Sequence, residues 1–100
     1  VSRNLHPLLV KTTGEGTILD IREHYELSRT GKVKHAVHIP IGQLQMRLAE
    51  ISKEKPVYVY CGSGRRAEQV VSYLINEGYN AYNTGGVNHW YTSGYELVFA

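Results

Sequence analysis

Two rhythms of apolar and polar positions alternate along this chain. Short runs rich in β-branched and aromatic residues read as strands: TILDI at 17–21, AVHI at 36–39 (stopped by Pro40) and VYVY at 57–60. VYVY holds no charge and follows Pro56, the composition of a strand covered on both faces in the middle of a parallel sheet. Between these runs the period lengthens. Ile41, Leu44, Leu48 and Ile51 recur at steps of three and four and predict a helix. Ala67, Val70, Val71, Leu74 and Ile75 predict a second, stopped at Glu77 with Gly78 as its left-handed cap.

Shorter signals fill the gaps. Residues 4–9 suit a short helix with Pro7 near its first turn, TTGEG at 12–16 a turn, and residues 23–28 a helix released by Gly31. AYN at 81–83 predicts a last strand, after which TGG turns into a helical piece around Trp90. Strands and helices alternate throughout, so the expected fold is α/β with a largely parallel sheet.

Composition narrows the class. A chain of 100 residues, with apolar residues at 42% and charged ones at 20%, is expected to form one ordinary globular domain over 1–100. The formal charge of +2 is too small to argue for a nucleic-acid partner, and Arg29, Lys32 and Lys34 beside His35 read as a solvated loop. No window approaches the apolar length of a membrane span. The single cysteine cannot close an intrachain disulfide, which favours a reducing compartment such as the cytoplasm. The start at Val1 rather than Met keeps an exported form, or a piece of a longer protein, open beside it.

That cysteine, Cys61, ends the VYVY strand and opens the loop GSGRR into a helix. Ligand sites in open α/β sheets form at this carboxyl edge of the strands. Gly62 and Gly64 let the backbone curl so that N–H groups make a nest for negative charge, and the helix N-terminus adds more. Arg65 and Arg66 bring two full charges. All of these favour an anion at the sulfur, the nucleophilic form of a thiol, and would also hold an anionic substrate. Ser63 reads as a hydroxyl donor to that anion, since CGSGR lacks the G-x-S-x-G pattern of a serine nucleophile. The five histidines (His6, His24, His35, His38, His89) show no zinc-type spacing, and Tyr58 and Tyr60 read as sheet packing.

The loop CGSGRRA resembles the active-site loop of rhodanese domains, with Cys61, Gly64 and Arg66 on the pattern C-x-x-G-x-R. LDIREHYEL is similar to the family's D-V-R-E-x-x-E segment through Asp20, Arg22, Glu23 and Glu26. GGVNHWYTSGYELV matches its late G-G-x-x-x-W-x-x-x-G segment through Gly85, Gly86, Trp90 and Gly94. The chain departs from the family's G-H-I-x-G-A-x-N-I-P segment with Lys32 for His, His35 for Gly and His38 for Asn.

The resemblance implies a central, mainly parallel five-stranded sheet with helices on both faces, and sulfurtransferase activity. Cys61 would take a sulfur atom from a small anionic donor such as thiosulfate, carry it as a persulfide, and pass it to cyanide or a thiol. A persulfide-relay protein could serve as partner. Cys61 and Arg66 would be catalytic, Gly62, Ser63, Gly64 and Arg65 would bind substrate, and Asp20 and Arg22 would support the loop. No metal or organic cofactor is implied. The alternatives are a cysteine-dependent phosphatase or arsenate reductase of the same fold, or a non-catalytic interaction module. Phosphatases of this kind need C-x5-R, and the sixth position after Cys61 is Ala67.

Overall fold

Strand β4 (Val57–Cys61) is buried along its whole length and sits inside the sheet. In the computed structural model, which describes residues 3–99, the chain begins with a 3-10 turn at Pro7–Leu9. There follow α1 (Val10–Thr13), β1 (Thr17–Asp20), α2 (His24–Thr30), β2 (Lys32–Val33) and β3 (Val37–His38). After β4 come α3 (Arg65–Asn76), β5 (Ala81–Gly86), α4 (Val87–Thr92) and β6 (Leu97–Val98).

The main sheet has the order β3-β1-β4-β5, with every neighbouring pair parallel. Among the described residues it therefore holds four strands, not the expected five. Next to β5 the N-terminal segment makes a single bridge, Asn4 to Asn83, closed by Leu5 N–H to the Asn83 carbonyl at 2.9 Å and Asn83 N–H to the Arg3 carbonyl at 2.7 Å. Two residues later Pro7, with no N–H to give, turns the chain into the 3-10 turn and ends the pairing. The short strands β2 and β6 form a separate antiparallel ribbon that the sequence pattern did not reveal.

Alternation along β4 divides the core in two. Val57, Val59 and Cys61 pack with Ala67, Val70, Val71 and Leu74 of α3 on one face, while Tyr58 and Tyr60 pack with Val10, Val87 and Trp90 on the other. Helices thus cover both faces. The four α3 residues fall on one stripe, and the helix ends as its sequence indicates. Gly78 lies at φ +92°, the Gly78 N–H bonds the Ile75 carbonyl at 3.0 Å, and the Tyr79 N–H bonds the Leu74 carbonyl at 2.9 Å.

The stripe Ile41, Leu44, Leu48, Ile51 does face the core, but not on one α-helix: two 3-10 segments, Ile41–Gln43 and Gln45–Glu50, carry Ile41 and Leu48, with Leu44 between them and Ile51 just after the second. Steps of three suit a 3-10 turn as well as an α-helix, and the backbone kinks at Arg47 (φ −112°, ψ 15°). His35, where rhodanese domains carry glycine, is the one non-glycine with positive φ (+71°) among the described residues. No helix among them is long and apolar enough to cross a membrane.

Candidate active site

Cys61 is the last residue of β4, and a bulge in β5 fixes what faces it. Val59 pairs with Asn83, but Cys61 pairs with Gly86, so β5 carries one extra residue between the two rungs. The bulge brings Gly86 under the loop. A Cβ at Gly86 would run into the Gly62 carbonyl, so only glycine lets β5 and the loop pack backbone to backbone. Asn83 ties them from the side: its Nδ2 donates to the Gly64 carbonyl at 3.0 Å, and its Oδ1 accepts from Gly85 N–H at 2.9 Å.

The sulfur itself is buried under this loop. The Gly64 N–H points at Cys61 Sγ from 3.0 Å, and the Ala67 N–H from 3.4 Å. Gly64 reaches that position at φ +101°, in the left-handed region open to glycine, immediately before α3. Amides of the loop and of the first turn of α3 thus converge on one sulfur, an arrangement that stabilises negative charge on it. Gly62 and Ser63 are exposed at the crest of the loop, and Arg65 is exposed at the start of α3.

Arg66 is placed differently from Arg65. Its two terminal nitrogens meet the two oxygens of Glu26, each at 2.8 Å. The same Glu26 reaches back to the Glu23 N–H at 3.0 Å and closes a capping box at the start of α2. Hydrogen bonding to Arg66 outweighs partial burial and holds the Glu26 carboxyl at about 2. In turn Glu26 raises Arg66, and negative charge at Cys61 acts in the same direction. A Cβ on Gly62 would come within 3.1 Å of Arg66 Nη2, so the ion pair lies directly beside the loop.

Asp20 and Arg22 lie behind the loop, both fully buried. Arg22 binds Asp20 through Nε and Nη2, and also the Gly31 carbonyl at 2.7 Å and Thr30 Oγ1 at 2.9 Å. The Tyr60 hydroxyl donates to Asp20 Oδ2 at 2.7 Å and accepts from the Val33 N–H at 2.9 Å. Burial, together with the Asp20 carboxylate, pushes the Tyr60 phenol far up, so it stays a donor. This network joins β1, β4 and the β2 ribbon. Trp90 completes the support through Thr84, whose hydroxyl accepts from the indole at 3.0 Å and donates to the Val59 carbonyl at 2.7 Å.

Three contributors escaped the motif reading. Glu26 was visible in a motif but without a role, Asn83 carried no signal, and Ala67 enters only through its N–H. Among the described residues no group of three or more His, Cys, Asp or Glu side chains could hold a metal ion. An open groove of about 600 Å³ runs beside the loop, between Ser63, Gly64 and Arg65 and the N-terminal residues Leu5 and His6.

With this architecture, the chain matches the model of the rhodanese-like domain family over residues 7–93. It is 32% identical over 88 residues to a sulfurtransferase of Allochromatium vinosum, covering 86% of this chain and 81% of that protein. It is 31% identical over 77 residues to the thiosulfate sulfurtransferase GlpE of Coxiella burnetii, covering 73% and 69%. A rhodanese-related protein of Thermoplasma volcanium superposes with a TM-score of 0.84 at 29% identity, over 98% of this chain and 99% of that one. The chain belongs to the rhodanese-like domain family.

Proposed function

We propose that the protein is a sulfurtransferase working through a persulfide on Cys61. The observation that carries this reading is the buried Cys61 sulfur, approached by the amides of Gly64 and Ala67 at 3.0 and 3.4 Å. The Cys61 thiolate attacks the outer sulfur of a donor such as thiosulfate. A bond forms between Sγ and that sulfur, the donor's S–S bond breaks, and sulfite leaves with the electron pair. The negative persulfide is held by loop amides, Arg65 lends positive charge, and Arg66, paired with Glu26, fixes the loop beside it. Cyanide or a thiol then removes the outer sulfur and restores the thiolate, a two-step cycle through a covalent intermediate. Asp20 and Arg22 keep the ends of β1 and β4 in register beneath the loop.

The names of the relatives favour sulfur transfer, and the loop disfavours the phosphatase alternative. A phosphate clamp needs an arginine at position 67, where a buried alanine stands, while Arg66 is occupied by Glu26. The test is sulfite and thiocyanate production from thiosulfate and cyanide by the wild type and by Cys61→Ser. Loss of both products in the variant is expected. Undiminished production would remove Cys61 from the mechanism, and faster turnover of an aryl phosphate than of thiosulfate would favour the phosphatase.

A further inference from the structure

Two arginines open α3, but their charges reach the loop differently. Arg65 is exposed and forms no ion pair among the described residues. Arg66 is matched by Glu26 through two bonds of 2.8 Å, so the pair carries no net charge. The Glu26 carboxyl, held at about 2, stays ionised throughout the neutral range.

The pair also lies against the residue bonded to Cys61. Around the place that a Cβ on Gly62 would occupy, two atoms of other described residues lie within 4 Å, leaving out its chain neighbours. They are Arg66 Nη2 at 3.1 Å and Glu26 Oε2 at 3.5 Å. Adjacent Cα atoms are about 3.8 Å apart, and screening at physiological salt sets in over about 8 Å. A donor reacting at Cys61 Sγ is therefore inside the field of both groups, whichever side it enters by. The coupling runs the other way as well, since negative charge at Cys61 raises Arg66.

A fixed carboxylate beside a sulfur that receives anionic donors has a consequence for which donors it receives. Resting on the persulfide reading of Cys61, we propose that Glu26 sets the charge class of the sulfur donor: by cancelling Arg66 it weakens the preference for dianions over monoanions. Glu26 acts through Arg66 and touches no reacting atom, so it is a specificity-determining, positioning residue. The bond changes are the same for both donor classes. Sγ bonds to the donor's outer sulfur, the donor's S–S bond breaks, and sulfite or a sulfinate leaves with the electron pair. No oxidant or reductant is needed.

The experiment compares thiosulfate, a dianion, with methanethiosulfonate, in which a methyl group replaces one charged oxygen. Thiocyanate release at fixed cyanide gives kcat/KM for each donor, and the ratio of thiosulfate to methanethiosulfonate cancels effects common to both. Glu26→Gln frees Arg66, so at low salt the ratio should rise about threefold, one added charge acting on a one-charge difference. Arg66→Gln leaves Glu26 alone, and the ratio should fall by a similar factor. Glu26→Asp keeps the charge and should keep the wild-type ratio. In about 1 M salt the ratios should converge on wild type. A loosened loop cannot move Glu26→Gln and Arg66→Gln in opposite directions. Should Glu26→Gln fail to fold, the fall in Arg66→Gln against an unmoved Glu26→Asp carries the test. Ratios that stay at the wild-type value, or move the same way in both neutral variants, overturn the role of Glu26 alone. A wild type that neither donor loads, read by intact mass, overturns the persulfide reading and this role with it.

Discussion

Glu26 and Arg66 meet through two parallel hydrogen bonds of 2.8 Å, joining the start of α2 to the first turn of α3 beside the loop that covers Cys61. Forty residues apart in sequence, they act as a clamp rather than as two free charges. The Glu26 carboxyl, held at about 2 against an ordinary 4.5, stabilises the fold above pH 4.5 and loses that contribution as pH falls toward 2. Glu26→Gln should cost about 1 kcal/mol at neutral pH, as a partly exposed pair does, and should flatten the acid limb of stability. Urea unfolding from pH 7 to pH 2 checks this; superimposable curves for the two proteins would contradict it.

The contact of Gly86 with the loop makes a sharper test of geometry. Gly86→Ala pushes a methyl group into the Gly62 carbonyl, so the loop must shift. The expected result is a loss of about 1–3 kcal/mol, as for other overpacked sites, with at least a tenfold fall in sulfur transfer. Gly42→Ala, where a Cβ meets nothing within 4 Å, is the control and should change stability by no more than about 0.5 kcal/mol. Thermal melts and thiocyanate release read both variants.

Tyr60→Phe separates scaffold from chemistry. It strips Asp20 of one donor and leaves the buried Val33 N–H without its acceptor, which should cost about 1–3 kcal/mol. The Tyr60 ring faces the core opposite to Cys61, so folded Tyr60→Phe should keep sulfur transfer within about twofold of wild type. A stable but inactive variant would assign Tyr60 to the reaction.

His35 holds a left-handed backbone on an exposed turn. Relieving it with His35→Gly should raise stability by about 0.5–1 kcal/mol, the left-handed strain less the extra entropy of an unfolded glycine. Urea midpoints measure this, and a destabilised variant would show that the imidazole contributes more than the strain costs.

The local features were legible in the residues themselves. A charge-free strand ending in Cys61, a glycine pair and a helix stripe are short-range patterns, and they located the sulfur, the loop and the covered faces of the sheet. The partners were not legible, because they are set by tertiary packing. Nothing in the spacing tells that Arg66 turns to Glu26 while Arg65 stays free, or that a bulge in β5 brings Gly86 opposite Cys61. The two-residue strands β2 and β6 are too short to show a period. Pro7 is readable as a helix start, but the bridge of Asn4 to Asn83 just before it is not.

Everything rests on sulfur becoming bonded to Cys61. The wild type and Cys61→Ser should be treated with excess thiosulfate, freed of it, and weighed intact and as peptides. The wild type should gain the mass of one sulfur atom on the peptide containing Cys61 and lose it to cyanide as thiocyanate, while Cys61→Ser gains nothing. A wild type that stays unmodified, or a serine variant that gains the same mass, would contradict sulfur transfer through Cys61.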